Sequence, residues 1–248
     1  MTSPTLHLHR WGTGPRVVLV HGAVLGGREA WRGQRPLTER WELVAPDRPG
    51  HGRTPWARQD FEPESVLLAD QLLDPPCHLV GMSYGGIVAM LAAAHKPAGV
   101  RSLTVIEPPS TAVARGVPAV DVYGAAMRDL SMTTDVPLEE ALMRFLAVVG
   151  APVTVPRPVP PALLDGVRQI LGARPPDEAE LPLDTLRQAG FPMLVVSGGH
   201  MPANEIICDV IAERTGAQRA VCPGAGHLVP DTGAPFNAVL EDFLTAAG

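Results

Sequence analysis

Lysine is almost missing from this sequence: of 20 basic residues, Lys96 is the only one that is not arginine. Abundant Ala, Gly and Pro point to a GC-rich coding sequence as the cause, and no functional weight attaches to the bias. Dense Lys/Arg runs are also absent and the net charge is −6, which argues against nucleic acid or an anionic membrane surface as the main partner. Only three cysteines occur, Cys77, Cys208 and Cys222, an odd number at spacings that suit neither a disulfide framework nor a zinc site. No apolar run approaches the ~20 residues that span a bilayer. The opening MTSPTLHLHRWG lacks the apolar core of a secretory leader. A reduced, cytoplasmic enzyme is the expectation. No internal repeat or low-complexity tract stands out.

What is present fits one α/β domain, or such a core carrying an insertion, at a length of 248 residues. Residues 5–11 alternate and a Gly-Thr-Gly-Pro turn follows, which predicts an edge hairpin. His7 and His9 share one face of that strand and make a metal pair conceivable. No third ligand is near in sequence, so an exposed strand face is the preferred reading. Residues 16–20 (RVVLV) form an apolar, β-branched run of the kind buried on both faces of a parallel sheet. They end in the glycine-rich loop 21–27, which lacks the lysine and hydroxyl residue of a phosphate-binding loop.

Helix is expected over 28–40, 64–73 and 87–95, and strand over 41–45, 77–80 and 101–106. This alternation implies right-handed crossovers and a mainly parallel sheet. From 110 to 187 strand signals vanish, prolines cluster, and helical patterns remain, clearest over 138–149 and 162–171. The stretch is too long for a loop and is expected to be a helical cap over the site. Strand (192–197), helix (204–215), strand (217–222) and a last helix (234–246) complete the chain. The fold class is therefore α/β, a mainly parallel sheet flanked by helices with a helical cap insertion: core over 1–109, cap over 110–187, core again over 188–248.

The chain is organised around Cys77 to Met90, CHLVGMSYGGIVAM. A strand runs into Gly81-Met82-Ser83-Tyr84-Gly85 and an Ala-rich helix begins at once, the strand, elbow and helix of G-x-S-x-G. So tight a turn strains the serine backbone, and Gly81 and Gly85 leave room for strand and helix to close together. Ser83 then stands at a helix N-terminus, where free N–H groups favour developing negative charge. By itself the pattern is also compatible with a purely structural turn.

With His21-Gly22 after one buried strand, Pro46-Asp47-Arg48-Pro49-Gly50-His51-Gly52 after the next, the elbow, a cap, and Gly224-Ala225-Gly226-His227 near the end, the whole chain resembles the α/β-hydrolase family. The resemblance implies Ser83 as nucleophile and His227 as general base, since a serine hydroxyl needs a base to take its proton. It implies an oxyanion hole of the Ala23 and Tyr84 backbone N–H groups, loop-holding roles for His21 and His51, and a structural Asp47. It also implies two-step acyl transfer with no metal or organic cofactor.

One departure concerns the acid. Most of the family carries an aspartate after the strand that here is 192–197, yet this loop reads Gly198-Gly199-His200-Met201. Some relatives place the acid after the preceding strand, where Glu107 stands; Glu205 and Asp209 on the following helix are the alternatives, then a dyad without acid. The expected partner is a small-molecule substrate with an ester, thioester or lactone bond. Apolar residues of the cap (Met127, Met132, Leu142, Met143, Phe145 and Leu146) suit either a hydrophobic pocket or the cap's own core. A homodimer is the one assembly allowed for. A ligand-binding or sensor protein, and an acyltransferase or cyclase, are the competing functions.

Overall fold

Strand β2 (Arg16–Val20) carries no polar side chain after Arg16, so only a position inside a sheet, covered on both faces, satisfies it. In the computed structural model, which describes residues 5–248, β2 lies between β3 (Glu42–Asp47) and β4 (Cys77–Met82). With β1 (His7–Trp11), β5 (Val100–Ile106), β6 (Met193–Ser197) and β7 (Gln218–Val221), the described residues form one seven-stranded sheet in the order β1-β3-β2-β4-β5-β6-β7. Every pairing is parallel except β1 with β3. Readings that touch residues 1–4 lie outside the described residues.

The expected edge hairpin does not form. β1 is an edge strand, but it pairs with β3 and not with β2. Gly12 and Gly14, both at positive φ, carry the chain across the start of β3, where a Cβ would stand 2.4 Å from the carbonyl oxygens of Trp41 and Arg40 respectively. The helix expected over 28–40 is also broken. It is a short helix α1 (Gly27–Ala30) followed by a 3-10 stretch, Arg32–Glu39, with Pro36 inside, because proline cannot supply the N–H that an α ladder needs.

Side chains alternate across each strand, and β2 divides accordingly. Val18 and Val20 join the core under α2 (Phe61–Leu72) and α3 (Tyr84–His95), whereas Val17 and Leu19 join a second core. Between β5 and β6 the described chain holds no strand, only helical pieces: α4 (Pro118–Met132), α5 (Leu138–Val149), α6 (Pro161–Ile170), α7 (Leu183–Ala189) and short 3-10 turns. After β6 come α8 (Pro202–Thr215), β7 and α9 (Ala234–Ala246). Phe236, Leu240 and Phe243 of α9 are buried in the second core with Val17 and Leu19. No described helix is long and apolar enough to cross a membrane.

Candidate active site

One residue, Ser83, separates β4 from α3. Its backbone sits at φ 53°, ψ −129°, held by its N–H donating to the Ile106 carbonyl at 2.8 Å. A Cβ on Gly81 would lie 2.5 Å from the Gly85 carbonyl oxygen, and one on Gly85 would lie 2.2 Å from that of His21. Both positions therefore admit glycine alone. Glu107, φ 43°, is the other non-glycine residue at positive φ among the described ones. Such conformations cost about 1–3 kcal/mol each and persist where surrounding structure enforces them. Ser83 and Glu107 stand just past the ends of the neighbouring strands β4 and β5, on the sheet edge where α/β folds gather their ligands.

Glu107 is fully buried and collects donors. Its Oε1 accepts from the Gly198 N–H at 2.6 Å, and its Oε2 from Asn204 Nδ2 at 2.9 Å and His227 Nδ1 at 2.7 Å. A carboxylate only accepts, so the shared proton belongs to His227 Nδ1 and leaves Nε2 of the neutral ring as an acceptor. That Nε2 is buried without a hydrogen-bond partner, and His227 lines the same cavity as Ser83. The other carboxylates are engaged elsewhere. Glu205 accepts from Ser197 Oγ at 2.8 Å and Arg219 at 2.6 Å, and Asp209 from Arg219 at 2.9 Å. The loop after β6 has no room for an acid at position 198, where a Cβ would stand 2.1 Å from the Gly226 carbonyl oxygen.

Gly22 and Ala23 form the cavity wall beside Ser83. The Tyr84 N–H opens α3, and the Ala23 N–H has no acceptor among the described residues. Three side chains fix this loop from beneath. His21 Nε2 accepts from the Arg48 N–H at 2.9 Å and its Nδ1 donates to the Gly22 carbonyl at 2.8 Å. Arg48 Nη1 donates to the same carbonyl at 2.8 Å, and His51 Nε2 donates to the Ala23 carbonyl at 2.9 Å. Burial, then the neighbouring His51 and Arg48, drives the pKa of His21 well below the usual range. Burial and Arg48 hold His51 at about 4. Both rings are thus neutral near pH 7 and serve as hydrogen-bonding struts.

The cavity has a volume of about 310 Å³, at the small end of ligand sites. Leu142, Phe145 and Leu146 of α5 line it, with Val153, Val155 and Leu163 beyond. The methionines of this helical segment do different work. Met127 is buried in the core, and Met132 and Met143 are exposed.

The sequence profile of the Alpha/beta hydrolase family matches residues 17–239. The chain belongs to the alpha/beta hydrolase family. Among curated proteins it is 37% identical over 179 residues to a pimeloyl-[acyl-carrier protein] methyl ester esterase of Methylococcus capsulatus, covering 70% of this chain and 66% of that one. It is 36% identical over 169 residues to lipase LipV of Mycobacterium tuberculosis, covering 64% and 60%. The matches thus span less than two thirds of either relative. Among solved structures, a thermophilic esterase from Thermogutta terrifontis superposes with a TM-score of 0.70 at 22% identity, over 98% of this chain and 94% of that one; this likeness concerns the fold.

In this alpha/beta hydrolase three features escaped the sequence reading. Arg48 forms a buried ion pair with Glu64, Nε to Oε2 at 2.8 Å, and its guanidinium lies 4.8 Å from the centre of the Tyr84 ring. Asn204 and His200 both face Glu107. His7 and His9 are not an exposed face: β1 places His7 opposite Asp47, and His9 Nε2 lies 3.1 Å from the Asp47 carboxylate. The three offer ligand atoms within 4.8 Å of one another. That carboxylate also accepts from the Gly27 and Arg53 N–H groups, so Asp47 already ties three segments together by hydrogen bonds.

Proposed function

We propose that this chain is a serine hydrolase of ester-like bonds in small, partly hydrophobic substrates. The observation that carries the reading is His227, held through Nδ1 by buried Glu107 with Nε2 left free on the wall that bears Ser83. Nε2 takes the Ser83 proton as Oγ attacks the carbonyl carbon. The resulting oxyanion is received by the Ala23 and Tyr84 N–H groups, and Glu107 offsets the charge of the imidazolium. Collapse of the tetrahedral intermediate breaks the bond to the leaving group, which departs with the proton from His227. Water, deprotonated by the same ring, then attacks the acyl-enzyme and releases the acid and Ser83. The relatives named as esterase and lipase support ester chemistry.

The acyl group would lie along the apolar wall of α5. Each methylene buried there contributes about 0.8 kcal/mol, close to a fourfold gain per carbon. With p-nitrophenyl esters from acetate to decanoate, kcat/KM is expected to climb through the short chains and to fall once the 310 Å³ cavity is filled. Wild-type rates equal to those of Ser83→Ala across the whole series would sink the reading.

A further inference from the structure

His200 follows β6 in the loop Gly198-Gly199-His200, and no step above uses it. Its ring is wedged between Glu107 and the end of α5. Nε2 lies 3.0 Å from the Val149 carbonyl oxygen. Nδ1 lies 3.3 Å from Glu107 Oε1 and is buried with no aligned hydrogen-bond partner. Both facing oxygens can only accept. A neutral imidazole has a single N–H, so either tautomer turns a bare lone pair toward an acceptor, and only a ring with a proton on each nitrogen suits both. His51 provides the contrast. It too lies between two carbonyls, Ala23 at 2.9 Å and Pro49 at 3.1 Å, but the nearby charge is the Arg48 cation, which with burial keeps that ring neutral. Beside His200 stands a carboxylate. The other charged or titratable groups around it are His227, with ring centres 6.5 Å apart, and Glu205, which accepts from the Gly199 N–H and pairs with Arg219.

We propose that His200 is a positioning residue of the active site: it pairs through Nδ1 with Glu107 Oε1 and donates from Nε2 to the Val149 carbonyl, fixing the carboxylate that orients His227 and tying it to α5. The end of α5 meets both histidines, His200 through its ring and His227 through its backbone. The Gly150 carbonyl accepts from the His227 N–H at 3.3 Å, and a Cβ on Gly150 would stand 2.6 Å from His200 Cδ2. Leu142 and Phe145 of the same helix line the cavity. The seating of α5 around an acyl chain is thereby coupled to the alignment of the base.

The inference rests on the serine-hydrolase reading, and amide substitutions separate its two contacts. His200→Asn places an N–H near the site of Nδ1, and His200→Gln places one near that of Nε2. On the best p-nitrophenyl ester, His200→Ala is expected to lower kcat about tenfold to a hundredfold, as misalignment of a catalytic group does, with KM within about twofold. Asn should restore most of kcat and Gln little of it. An Ala variant with wild-type kcat, or rescue by Gln but not Asn, would overturn the assignment. Long-range ¹H–¹⁵N correlation spectra of the wild type provide a readout that needs no turnover. Both His200 nitrogens should appear protonated, and a bare Nδ1 would overturn the assignment. A wild type without esterase activity refutes the proposed function, and the spectrum then decides the place of the His200 proton by itself.

Discussion

Glu107→Gln is expected to lower kcat by about four orders of magnitude while leaving KM for an ester nearly unchanged, the scale seen when a triad base is left in the wrong tautomer. The donors around the carboxylate set this outcome. Gly198 N–H points at one oxygen, and Asn204 and His227 point at the other. A glutamine amide has one accepting oxygen and one NH₂ group, and it cannot serve both sides. If its NH₂ faces Gly198, two donors oppose each other where 2.6 Å now separates donor and acceptor. If its NH₂ faces His227, the ring must accept at Nδ1 and carry its proton on Nε2, so it can no longer take one from Ser83. The matched control is Glu205→Gln, whose carboxylate serves Ser197, Gly199 and Arg219; its kcat should stay within a few-fold of wild type. A folded Glu107→Gln variant with near-normal turnover would remove this residue from the mechanism.

Glu64→Gln is expected to cost about 3–5 kcal/mol of stability, the usual penalty for stranding one partner of a buried ion pair. For a chain of this size that corresponds to a fall in Tm of roughly 6–20 °C. Arg48 and Glu64 are both almost wholly buried. Burial pushes the Glu64 carboxyl above its usual pKa, against the pull of the Arg48 cation, so the pair is costly to bury and depends on both partners. Glu64 also accepts from the Asp60 N–H at the start of α2, at 3.0 Å. A neutral amide can keep one of these two contacts and must present NH₂ to the other donor. Because Arg48 also holds the Gly22 carbonyl and stacks near Tyr84, loosening it should lower activity as well. Glu62→Gln, an exposed change on the same helix turn, should leave Tm within about 1–2 °C, as surface substitutions do. Equal Tm values for the two variants would mean that Arg48 finds another counter-charge.

Sequence legibility followed the range of the interactions. The elbow was readable because strand, turn and helix are contiguous and because Gly81 and Gly85 each leave a local steric signature. The apolar runs of β2, β4, β5 and β6 likewise carry their own burial. Glu107 could be singled out because the loop after β6 offers no carboxylate, and the collision at Gly198 gives that absence a physical reason. What surrounds Glu107 was not readable: Gly198 and Asn204 reach it from 91 and 97 residues away. Arg48 looked like part of a turn motif, because a buried guanidinium is recognisable only once Glu64 is seen opposite it. The misread hairpin and the missed His9–Asp47 contact share one origin. Alternation marks β1 as a strand but says nothing of which neighbour it joins, and only the pairing with β3 brings Asp47 opposite His7. Pro36 lies within the second half of the helix expected over 28–40, and the stretch that holds it, Arg32–Glu39, is 3-10 and not α. In the helical segment, composition marked apolar helices; that Leu142 and Phe145 face the cavity while Met132 and Met143 face outward is decided by packing.

The central claim is that Ser83 is a nucleophile activated by His227. The most direct measurement is intact-protein mass after reaction with a fluorophosphonate, followed by peptide mapping, for wild type beside Ser83→Ala. The account predicts a single adduct on the peptide that contains Ser83 and none in the variant. No adduct on a folded wild type, or an adduct that persists in Ser83→Ala, would contradict it.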